Sequence, residues 1–184
     1  MARRQSKSKP VWSDVKCRLA AFDRPGLLDL VKDLYAANKE NQTFLHTRFA
    51  LGEDALEPYK RTIARWLWPD VIRNQNVSVA KAKQAISNYR KAVNDPAGLA
   101  ELLVFYCENA IGFSNDVGYC DESYLAALVR TFEQALVIVN TLPDSEQHVL
   151  IARLDHVRAI GQIGYGVGDD LDDLFAQAAD RDVA

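Results

Sequence analysis

Apolar residues recur at spacings of three and four along most of the chain, the period of one helix face. The strongest run lies between Asp95 and Pro143, DPAGLAELLVFYCENAIGFSNDVGYCDESYLAALVRTFEQALVIVNTLP. In its first half Leu99, Leu102, Leu103, Tyr106, Ala110, Phe113 and Val117 form one stripe, and Val104, Phe105, Cys107 and Ile111 extend the apolar character beyond it. A helix that is apolar most of the way round needs cover on more than one side, so this segment is expected to be central. Asp95 is a good N-cap, and Pro96 suits the first helical position, where its missing N–H costs nothing. The second half starts near Asp121, carries Tyr124, Leu125, Leu128, Phe132, Ala135, Leu136 and Val139 on one stripe, and stops at Pro143. The Gly118-Tyr119-Cys120 turn is short enough to force the two helices antiparallel.

The flanking segments follow the same period. Ser13 is placed to cap a short helix holding Val15, Leu19 and Phe22, and Asp23 with Pro25 opens the next, whose buried side would be Leu27, Leu28, Leu30, Val31 and Leu34. A short helix with Phe44, Leu45 and Phe49 ends at Leu51-Gly52. A helix from about Asp54 to Trp68 turns Leu56, Ile63, Trp66 and Leu67 inward, and Ser78 caps one carrying Val79, Ala82, Ile86, Tyr89 and Val93. Asp144 and Gln147 have capping-box spacing for a helix to about Tyr165, with Val149, Leu150, Leu154, Val157 and Ile160 inside. A last helix is expected from about Asp169 to Ala179, with Leu171, Leu174 and Phe175. No segment shows the period-two alternation of a half-buried strand. The expected fold is all-α, a multi-helix bundle or a short solenoid of antiparallel helical hairpins.

Composition narrows the class. With 184 residues, 48% hydrophobic and 26% charged, the chain fits a single globular helical domain over residues 11–180. Residues 1–10, with Arg3, Arg4, Lys7 and Lys9 and no acid, read as a disordered basic tail. No window approaches the ~18 uninterrupted apolar residues of a membrane span, so no membrane partner is expected. The N-terminus also lacks the apolar core of a signal peptide. Cys17, Cys107 and Cys120 are odd in number and lack C-x-x-C spacing, which reads as reduced thiols in a cytoplasmic protein.

Charge is distributed unevenly. Residues 1–57 hold ten Lys or Arg against eight acids, and residues 94–184 hold four against sixteen. Between them, residues 58–93 carry Lys60, Arg61, Arg65, Arg73, Lys81, Lys83, Arg90 and Lys91 against Asp70 alone. If these eight cations share one outward surface, they would attract an acidic protein, either a separate partner or the acidic half of a second copy. The same surface could track RNA or DNA, with Tyr59, Trp66, Trp68 and Tyr89 as stacking aromatics. The acidic sequence pI of about 5.6 weighs against a dedicated nucleic-acid binder.

Candidate chemistry is sparse. The glycines of GQIGYGVGDDLDD could cradle a phosphate only after a strand, and here a helix precedes them, so they read as a turn and as sites of close helix approach. Asp169, Asp170 and Asp173 form the D-D-x-x-D string that holds magnesium in all-helical prenyl-diphosphate enzymes, but the second aspartate motif is missing. Acids in a first helical turn are also favoured by the helix dipole. Glu101, Glu108 and Asn115, seven apart, read as a solvent-facing strip; no Glu-x-x-His accompanies them as a helical-bundle metal site requires. His46, His148 and His156 are not at metal-ligand spacing, and no catalytic residue or cofactor is selected.

The segments LVKDLYAANKENQTFLHTRF, LEPYKRTIARWLWPD, SVAKAKQAISNYRKAVNDPAGLAELLVFYCE and GYGVGDDLDDLF resemble a family of bacterial all-helical domains of unknown function. The resemblance runs from about Val11 to Phe175. It implies a cytoplasmic bacterial helical protein and transfers no functional residue. The sequence thus points to a non-catalytic protein-interaction or scaffold module using the basic stretch 58–93. An RNA- or DNA-associated protein using the same surface is the alternative, and a magnesium-dependent enzyme built on Asp169–Asp173 the third.

Overall fold

Nine helices are formed among residues 9–181, the part of the chain that the computed structural model describes, and no strand occurs among them. They are α1 (Trp12–Leu19), α2 (Arg24–Ala37), α3 (Lys39–Arg48), α4 (Glu57–Leu67), α5 (Val79–Ala92), α6 (Pro96–Val117), α7 (Glu122–Val139), α8 (Asp144–Ala159) and α9 (Val167–Arg181). The all-α expectation holds. Two compact units divide between Leu45 and His46. Arg3, Arg4 and Lys7 of the expected basic tail lie outside the described residues, while Lys9 and Pro10 are exposed and non-helical.

In the first unit, local hydrogen bonds set the helix ends. The Asp14 carboxylate accepts the Val11 N–H at 2.9 Å, so α1 begins before Ser13, which does not cap it. Asp23 accepts the Gly26 N–H at 2.8 Å and opens α2 with Pro25 in its first turn, as expected. Asn38 then leaves the helix in extended conformation and accepts the Asn41 N–H at 2.8 Å, starting α3. Neither α1 nor α2 buries a residue. The expected buried side of α2 is therefore an open face, with Leu28 60% and Leu34 52% exposed. Periodicity identifies an apolar stripe but not what covers it.

The second unit is built from three antiparallel hairpins, α4/α5, α6/α7 and α8/α9. In the first, the Ser78 N–H donates to the Trp66 carbonyl at the closed end, and Tyr59 meets Tyr89 edge-on at the open end. In the second, Gly118 adopts a left-handed φ of 68° and the Asp121 carboxylate caps α7 through the Tyr124 N–H at 2.9 Å. The third closes through Gly164 and Gly166, both at positive φ. At Gly161 a Cβ would press on Leu171, so the missing side chain lets α9 cross α8 closely.

Cross-links between hairpins fix their stacking. Lys60 of α4 and Arg153 of α8 both reach Glu101 of α6, and the Tyr124 hydroxyl of α7 donates to the Leu67 carbonyl at the end of α4 at 2.9 Å. Asn115 donates to the Ile160 carbonyl beyond α8, and Asn140 to the Ala178 carbonyl of α9. Helices α4, α6 and α8 thus form one parallel row, while α5, α7 and α9 lie on the other side. The arrangement joins both sequence expectations, since it is a helical bundle made of stacked hairpins.

The core runs through all six helices of this unit and includes Ile63, Leu67, Leu102, Ile111, Leu128, Phe132, Leu154 and Leu171. Each fully buried side chain of this size contributes about 1.5–3 kcal/mol relative to exposure. As expected, α6 is buried on more than one side. Helix α8 departs from expectation. Pro143 is its N-cap and has no side-chain atom that could cap the helix; Asp144 is already helical, and Gln147 donates to Asn140 Oδ1. The helix ends at Ala159, short of Tyr165, and both Val149 and Ile160 face outward.

Candidate functional site

The eight cations of residues 58–93 do not present one face. Lys60 points into the α4–α6 seam, donating to Glu101 Oε1 at 2.6 Å with its ammonium 5.4 Å from the Phe105 ring. Arg61 and Arg73 lie largely in solvent and pair with Glu57 and Asp70, each within the same short stretch of chain. Arg65 and Lys81 both stack on Trp66, at 4.5 and 3.8 Å from its ring centroid. Lys91 is exposed, and its carbonyl accepts from Arg48 at 2.6 Å. Lys83 and Arg90 converge on a concave feature. Residue number along a helix fixes azimuth: around α5, Lys81 lies roughly opposite Lys83 and Arg90, while Arg73 falls in the loop between α4 and α5.

That feature is a groove of about 440 Å³ between α5 and α7, floored by α6. Lys83, Ile86 and Arg90 fall at three- and four-residue spacing along α5 and so line its wall together. Leu99 and Leu103 form the floor, and Val137 and Ile138 form the apolar part of the α7 wall. Ser87, Thr131, Gln134 and Glu133 supply the polar edge, with Glu133 its single carboxylate. Burial, and then the positive charge of Arg130, hold the Lys83 ammonium below the ordinary lysine range. An anion entering here would relieve the repulsion between Lys83 and Arg130 and repay part of the burial cost.

The other candidates are not assembled into sites. Tyr59 and Tyr89 are core residues, and Trp66 already carries two cations, so these aromatics offer no platform for stacking bases. Trp68 is partly exposed but lays its ring over Gly112. Asp169, Asp170 and Asp173 stand exposed in the first turns of α9, and Asp172 between them accepts from Arg158 at 2.7 Å. Among the described residues no three His, Cys, Asp or Glu side chains are placed to hold a metal ion. Burial pushes the Cys107 thiol up, which removes it as a nucleophile.

Within the Glu101–Glu108–Asn115 line, Asn115 is exposed, but Glu101 and Glu108 do not form a solvent-facing strip. They lie in the seam between α6 and α8, where Arg153 donates to both Glu108 oxygens, at 2.7 and 2.8 Å, and also to Glu101. Burial alone would raise the Glu101 carboxyl, but hydrogen bonds from Arg153 and Lys60 outweigh it and hold the group below the usual carboxylate range.

Part of the groove was readable beforehand. The seven-residue interval between Lys83 and Arg90 puts both on one face with Ile86. The contributions of Leu99, Leu103, Val137, Ile138 and Arg130 depend on how the hairpins stack, and nothing in the local sequence signals them. Comparison with known proteins adds no further assignment: no family model, curated protein or solved structure matches the chain.

Proposed function

We propose that the chain is a non-catalytic interaction module that takes an acidic, partly apolar segment of a partner protein into the groove between α5 and α7. The observation that carries this reading is the convergence of Lys83 and Arg90 beside an apolar floor, with Arg130 adding positive field and Glu133 as the only lining carboxylate. A helix with leucines on one face and Asp or Glu beside them matches both parts of that surface. The apolar floor supplies affinity, and the two cations select and orient the acidic segment. A nucleic acid would use the charge but not the floor, and the neighbouring aromatics are occupied.

Selection of a displayed random peptide library against the full chain tests this. Recovered peptides should be rich in Asp and Glu, with apolar residues at three- and four-residue spacing. Their affinity should fall roughly tenfold or more in the Lys83→Glu/Arg90→Glu double variant, and also between ~50 and ~500 mM salt. Recovery of peptides with no acidic bias, or equal binding by the double variant, would remove the reading.

A further inference from the structure

We propose that α1 is an interfacial helix that lays the N-terminal part of the chain on an anionic membrane surface. Trp12, Val15 and Leu19 fall at i, i+3 and i+7, so they form one narrow stripe. Trp12 is 68% and Val15 46% exposed, Leu19 is half-buried, and no residue of α1 is fully buried. At 100° per residue, Lys16 lies about 70° to one side of this stripe and Arg18 about 90° to the other, while Ser13, Asp14 and Cys17 fall on the opposite side. An apolar stripe with an exposed Trp and cations along both flanks is the pattern of a helix lying at the boundary of headgroups and acyl chains.

The surrounding sequence strengthens the electrostatic half of the argument. From Met1 to Arg24 the chain carries seven Lys or Arg against Asp14 and Asp23. One short apolar stripe binds a bilayer weakly, and an adjoining polybasic stretch is the second signal that makes such binding durable on anionic lipid. The same charges argue against a second copy as the cover. Pairing two α1 stripes would set Lys16 and Arg18 against their own counterparts. The expectation that no membrane is involved rested on the length needed for spanning. No helix among the described residues is long and apolar enough to cross a membrane, and a helix lying on the surface does not need to be.

The test is co-sedimentation of the full chain with two kinds of vesicle, phosphatidylcholine alone and phosphatidylcholine with roughly a third phosphatidylserine. Binding is expected to the anionic vesicles only, with partitioning reduced about tenfold between ~50 and ~500 mM salt. Trp12→Ala/Val15→Asp should abolish it, and Lys16→Glu/Arg18→Glu should reduce it strongly. Circular dichroism melting of both variants should match that of the parent, because α1 contributes nothing to the core. Equal binding to neutral vesicles, or no binding to anionic ones, would overturn the proposal. So would sedimentation equilibrium showing a dimer that Trp12→Ala abolishes, since a second copy would then cover the stripe.

Discussion

Arg153→Met is expected to lower the free energy of unfolding by about 3 kcal/mol, read from urea denaturation. The guanidinium holds Glu108 through two hydrogen bonds and Glu101 through a third, and all three groups are less than a third exposed. Methionine keeps much of the volume but leaves two half-buried carboxylates short of donors. Lys60 still reaches Glu101, so Glu108 bears most of the loss. Arg153→Met combined with Glu108→Gln should recover part of the stability, because it removes the stranded charge.

The pH dependence gives a second reading of the same site. Glu101 is depressed in the folded chain, so its contribution is fully present above the unfolded carboxylate value and is lost as pH falls through the folded value. The parent should therefore lose stability below about pH 4.5, and Arg153→Met should lose less over that interval. A flat difference between parent and variant from pH 7 to pH 3 would contradict the assignment.

Gly98→Ala is the second large effect, expected at about 2–3 kcal/mol destabilising despite the better helix propensity of alanine. Asp95 binds in two directions here: one carboxylate oxygen accepts the Gly98 N–H at 3.0 Å and the other accepts the Tyr89 hydroxyl at 2.6 Å. A methyl on Gly98 would overlap both the Tyr89 hydroxyl and the Asp95 carboxylate. Tyr89 is core and packed edge-on against Tyr59, so it has little room to retreat. The same substitution in Tyr89→Phe should cost less, because the obstructing oxygen is gone. Equal losses in the two backgrounds would show that the clash is not the cause.

How much of this was legible in the sequence depends on whether the signal is local. The ends of α2, α5, α6 and α7 were readable because Asp23, Ser78, Asp95 and Asp121 cap their own helices. The capping box expected at α8 does not form because Asp144 is itself helical, and Gln147 donates to Asn140, seven residues away. The apolar stripe of α2 was readable, but not its lack of cover. The basic stretch was visible as a count, yet a count carries no azimuth, and its cations turn toward Glu101, Trp66, solvent and the groove. Glu101 and Glu108 were correctly placed on one line of α6, but only the stacking of α8 reveals that Arg153 faces them.

The stacking of the hairpins also decides how the second unit gives way. The α6/α7 pair is held by neighbours on both sides, whereas each outer pair leans mainly on this middle one. Folding free energy is lodged unevenly in this unit as a result: its opening is expected to start at the two outer pairs and work inward, with α6, which anchors both flanking pairs, last to let go.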